Sequence, residues 1–133
     1  MVMKSGTITK GFIAAGVFNM SVLFFSRLFT NSILTAADPG VMSNFGLLMI
    51  VLWGLAYVSA AHNHQHLKWL ALVFAVEKLI YGLNWTKWML ENSVSEVYEQ
   101  DAMAGVFYTI YGVNDWLFCI FFLAVFIRSV RSN

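Results

Sequence analysis

One cysteine and one proline are all that these 133 residues contain, and only 11% of them are charged. Each scarcity excludes something. The lone thiol, Cys119, has no intrachain partner for a disulfide, and its apolar surroundings make it a small buried hydrophobe rather than a redox centre. With Pro39 as the sole proline and no Ser-rich or repetitive segment, the composition of a disordered tail is missing. Charge of one sign is missing too. Eight Lys and Arg against seven Asp and Glu give a net charge of +1, which leaves no basic face to neutralise phosphates, so nucleic acid is not an expected partner. No G-x-S-x-G, Walker pattern or G-x-G-x-x-G occurs, so a nucleophile elbow, a phosphate loop and a dinucleotide fingerprint are all absent.

What is present is apolar. Hydrophobic residues make up 59% of the chain, against roughly half in a soluble domain. Hydropathy divides it into four stretches, Phe12 to Phe29, Val41 to Ala61, Trp69 to Leu90 and Gly105 to Ile127, each about the 20 residues that cross a hydrocarbon core as a helix. The expected fold is therefore a single all-α transmembrane domain, an integral membrane bundle of four helices over residues 1–133. A cleavable signal peptide is not expected, because the first apolar stretch continues through Arg27 into bulky Leu28 and Phe29. Asp38-Pro39-Gly40 supplies the turn that ends one helix and lets Val41 begin the next. The connection after the third span is the longest and is acidic, with Glu91, Glu96, Glu99 and Asp101.

Basic residues set the orientation. Lys4, Lys10, Lys68, Arg128 and Arg131 fall on one side and Arg27 and Lys87 near the other, which predicts both termini on the cytoplasmic side. Arg27 should snorkel outward or pair with Asp38, and Trp69 and Trp88 should anchor span ends at the interface.

The polar exceptions lie at one depth. A rise of about 1.5 Å per residue puts Asn19 roughly 10 Å in from the cytoplasmic end, Glu77 and Lys78 roughly 12 to 14 Å and Asp115, beside Asn114, roughly 18 Å. Three of the four helices thus carry polar groups near the midplane, which is expected only of faces that point at one another. Tyr108, Tyr111 and Asp115 share one helical face, and Glu77, Tyr81, Asn84 and Trp88 share another. Glu77 and Lys78 stand about 100° apart around their helix, so each needs a partner on another one. The expected wiring is Lys78 to Asp115, with Glu77 toward Asn19 or a tyrosine hydroxyl. Two carboxylates against one ammonium leave one acid in surplus.

His62, His64 and His66 form the only other cluster. On a helix His62 and His66 share a face, and in an extended turn all three could converge on a metal, but no Cys or further His supports them. Facing mid-depth axial ligands for a haem are missing, so no metal and no cofactor is expected.

The stretches "SRLFTNSIL", "NFGLLMIVLWGLAYVSAA" and "GVNDWLFCIFFLAVF" resemble small uncharacterised four-span proteins of bacterial inner membranes. The resemblance implies a bacterial inner membrane as the location and carries no catalytic residues over. The leading functional expectation is a non-enzymatic accessory or structural component of that membrane. Its partners would be the lipid bilayer and either further copies of itself or another membrane protein. The alternative is an ion- or proton-coupled transporter of small molecules built on the Glu77, Lys78 and Asp115 cluster. A third is a metal or haem protein using the histidine turn.

Overall fold

Local signals fix several helix starts. Asn31, Ser43 and Asp101 each stand in extended backbone just ahead of a helix, and each side chain accepts a hydrogen bond from the backbone N–H three residues on, at Leu34, Gly46 and Ala104. The computed structural model, which describes residues 3–132, is all-helical, with no strand among the described residues. Its elements are α1 (Ser5–Met20), α2 (Val22–Phe25), α3 (Ser32–Ala37), α4 (Asn44–Ala60), a 3-10 turn (Ala61–His66), α5 (Lys68–Glu91), α6 (Val94–Gln100) and α7 (Ala102–Arg131).

Three helical stretches, Ser5–Phe25, Asn44–His66 and Ala102–Arg131, are long and apolar enough to cross a membrane. Only about a third of each apolar window is buried inside the molecule (33%, 33% and 28%), so these helices are apolar on their outer faces as well. Phe45, Leu52, Leu117 and Ile120, for example, point outward with half or more of their surface open. A surface of that kind is compatible with a membrane protein. The remaining long helix, α5, has 24 residues and so reaches roughly 36 Å, but it carries Glu77 and Lys78 in its middle.

Several boundaries differ from those read off hydropathy. The first apolar helix begins at Ser5 rather than Phe12, and it ends at Phe25, not Phe29. The chain cannot continue as a right-handed helix there, because Arg27, Leu28 and Phe29 all take left-handed backbone with φ of 50°, 56° and 68°. The second helix starts at Asn44 instead of Val41, since Ser43 caps it. The third and fourth extend slightly beyond expectation, to Lys68–Glu91 and Ala102–Arg131. Both longer connections contain short helices, α3 and α6.

The long helices pack as two close pairs. In the first, α1 lies closely on α4 at Gly16 and Gly54: a Cβ on Gly16 would meet the Val58 side chain and, at 2.8 Å, the Gly54 carbonyl oxygen, and one on Gly54 would meet Asn19 Cβ at 2.9 Å and the Gly16 carbonyl oxygen at 3.0 Å. In the second, α5 and α7 exchange tryptophans, Trp116 lying over Gly82 and Trp85 over Gly112. Between the pairs the buried apolar residues form two clusters. One, nearer the termini, holds Ile8, Phe12, Tyr57, Phe74 and Phe122. The other, beside α3 and α6, holds Leu34, Met42, Leu47, Trp88, Phe107 and Tyr108. Trp88 is therefore a core residue and not an interfacial anchor; its indole N–H donates to the Ala37 carbonyl at 2.9 Å, which ties α3 down on α5.

Candidate functional site

Between the two apolar clusters lies a polar layer built from all four long helices. Lys78, on α5, is 1% exposed, and its ammonium donates to Asp115 Oδ1 on α7 at 2.9 Å and to Asn19 Oδ1 on α1 at 2.8 Å. It also sits 5.1 Å from the centre of the Tyr57 ring on α4, a cation–π distance. Asn19 uses its other end to donate to the Ile50 carbonyl at 2.9 Å, so that one amide joins α1, α4 and α5. The structure thus brings Asn19, Lys78 and Asp115 together.

Glu77 points elsewhere. The Tyr57 hydroxyl donates to its Oε1, and neither Asn19 nor any cation does so among the described residues. Of the two sequence options for Glu77, the tyrosine is the one found, but on α4, a helix from which the sequence reading named no partner. Tyr57 is the site residue that reading missed. A signal existed: it is the only phenol in the otherwise uncharged second span. Burying an ionised group without a hydrogen bond or counter-charge is costly, so a lone phenol at the depth of three charged groups is a natural donor.

The layer is not filled. A cavity of about 40 Å³ lies beside it, lined by Asn19, Glu77, Lys78, Tyr81, Tyr111, Asn114 and Asp115 together with Phe18, Val22, Phe25, Phe107 and Ile110. That is room for a few water molecules, or for a head group of similar size. Of the inward-facing polar and aromatic residues singled out in the sequence, Tyr108, Asn84 and Trp88 do not line it. Above it, Asn84 donates to Asp38 at 3.0 Å, and the Tyr108 hydroxyl donates to the Leu34 carbonyl at 2.6 Å, so α3 and its following turn are held over this end of the site.

One other sequence expectation is corrected. Arg27 neither stands alone nor pairs with Asp38; it donates to Asp101 Oδ1 at 2.6 Å, while Asn31 donates to Asp101 Oδ2 at 2.8 Å. The left-handed turn at residues 27–29 aims the guanidinium at the start of α7. These two donors hold the Asp101 carboxyl below the usual carboxylate range. The histidines do not converge. His64 is buried, with its ring Nε2 3.3 Å from Ser5 Oγ, whereas His62 and His66 are exposed. Among the described residues no three His, Cys, Asp or Glu side chains are gathered as metal ligands.

Compared with family models, curated proteins and solved structures, the chain has no significant match. The function must be argued from the site itself.

Proposed function

We propose that the chain is a four-span protein of a bacterial inner membrane, with both ends cytoplasmic, and that its interior charge cluster is the solute site of an ion- or proton-coupled carrier. The observation that carries this reading is Glu77. It is a buried carboxylate whose only hydrogen-bond partner among the described residues is a hydroxyl, it borders a cavity, and the nearby Lys78 ammonium is already engaged by Asp115 and Asn19. A carboxyl in that position can take up a proton or a cation, which is the property a coupled carrier requires. Four spans follow from placing α5 among the three apolar stretches: its mid-helix charges, Glu77 and Lys78, face inward, and the exposed positions around them, Val73, Val76, Leu79, Ile80 and Leu83, are apolar.

A purely structural, accessory role is the second reading. It draws on the way Lys78 and Asn19 join all four long helices, since interhelical polar contacts hold bundles together in lipid. A hydrophobic carbodiimide, which reacts with protonated carboxyls in apolar surroundings, separates the two. Applied to membranes containing the protein, it should modify Glu77, as mapped by mass spectrometry, and the label should vanish in Glu77→Gln. Modification confined to Glu91, Glu96 and Glu99 would favour the structural role and overturn the carrier.

A further inference from the structure

The cavity has a side door. Phe18 of α1 and Ile110 of α7 both line it and are both exposed, at 53% and 43%, so it reaches the outer surface between these helices. Two aromatic pairs frame the opening. Phe18 meets Phe118 at 6.0 Å on one side, and Phe25 meets Phe107 at 6.0 Å on the other. From Phe18 to Phe25 the helical rise is about 10 Å, enough to pass an alkyl chain. The break at Ser21 between α1 and α2 falls within this interval.

The chemistry inside selects a charge. Lys78 has its ammonium committed to Asp115 and Asn19, so an anionic ligand would meet two carboxylates and no free cation. A cation would meet Glu77, and beyond it the rings of Tyr81, Phe107 and Tyr111 in the cavity wall, whose faces attract an ammonium ion. Size selects further, because about 40 Å³ is room for a few water molecules, which admits a primary –NH3+ head and leaves any long tail outside. We infer that the cavity holds the head group of a single-chain organic ammonium ion, with Glu77 as its counter-ion and the tail lying through the opening between α1–α2 and α7 into the lipid. This inference rests on the carrier reading and names the class of its solute and the route of entry.

Native mass spectrometry of the full chain, released from micelles in the presence of octylammonium, tests it. One molecule should bind per chain, and uncharged octanol should not compete. Glu77→Gln should weaken binding by at least about tenfold, the loss expected when a desolvated charge pair is broken. Glu91→Gln, an exposed acid on the same helix, should leave binding unchanged. Ile110→Trp, at an exposed position that burdens no core contact, should lower binding several-fold by filling the opening, and thermal melting checks that each variant is folded. Equal binding by octanol, or binding untouched by both Glu77→Gln and Ile110→Trp, would overturn the inference. Absence of ammonium binding alongside carbodiimide labelling of Glu77 would sink this inference and spare the carrier; absence of both would sink the two together.

Discussion

Lys78 concentrates the energetic risk of the molecule in one side chain. Its removal leaves two buried carboxylates with no counter-charge, and breaking a buried pair in this way costs about 3 to 5 kcal/mol. Lys78→Met should therefore lower the melting temperature sharply in a detergent or nanodisc assay, whereas Lys78→Met combined with Asp115→Leu should recover much of the loss, because it removes both charges of the pair. Asp101 behaves differently, as a surface group with several small duties. It accepts from Arg27, from Asn31 and from the backbone of Ala104. Since its carboxyl is held below the usual range, the stability it adds is complete above ordinary carboxylate pKa values and fades as the pH falls through its own lowered value. Melting curves of wild type and Asp101→Ala should thus be separated near neutral pH by about 1 kcal/mol, the worth of a helix cap, and should converge in strong acid. Asp115 could be read from sequence as a partner of Lys78 because depth and charge leave few options on a helix of known rise, whereas Asn19, expected as an option for Glu77, is found on Lys78. The partner of Arg27 could not be read, and for Glu77 only its kind, a tyrosine hydroxyl, was among the options and not the residue. Arg27 depends on a left-handed turn with no glycine to announce it, and Glu77 depends on a phenol whose helix carried no charge to draw the eye.

At the level of elements, hydropathy was a good guide to where helices lie and a poor one to where they stop. Apolar texture continues through Leu28 and Phe29, but the backbone turns before them, so the boundary is set by dihedral angles and not by side-chain polarity. Similarly, α3 and α6 are too short to show a periodic pattern, and they exist because Asn31 caps the one and because Leu34 and Val97 pack into the core. The pairing of α5 with α7 makes a sharper claim. Trp85 lies over Gly112 so closely that a methyl group there has no room. Gly112→Ala should destabilise the protein by about 1 to 3 kcal/mol through overpacking, and Gly112→Ala with Trp85→Leu should restore part of it. Thermal unfolding of the single and double variants checks the coupling between the two positions.

For the whole molecule, the decisive matter is the solvent around it. Outward-facing Phe, Leu and Ile on every long helix would be an aggregation hazard in water and are the expected surface in lipid. The proposed orientation can be checked with Cys119 replaced by Ala and single cysteines introduced at the ends. In intact bacterial cells, a membrane-impermeant thiol reagent should label Ser93→Cys and leave Ser132→Cys unlabelled until the membrane is opened. The reverse pattern would turn the molecule over, and labelling of both would remove one span.

The glycine contacts within each helix pair have a mechanical corollary. Glycine lets backbone approach backbone inside α1/α4, and tryptophan seats on glycine inside α5/α7, while the seam between the pairs is bridged by large rings and a handful of polar atoms. Stiffness is consequently uneven, and the compliant direction is a rocking of one pair against the other, with the lysine as the latch across the joint. Amide hydrogen exchange would record it as rapid opening along the seam and slow opening within each pair.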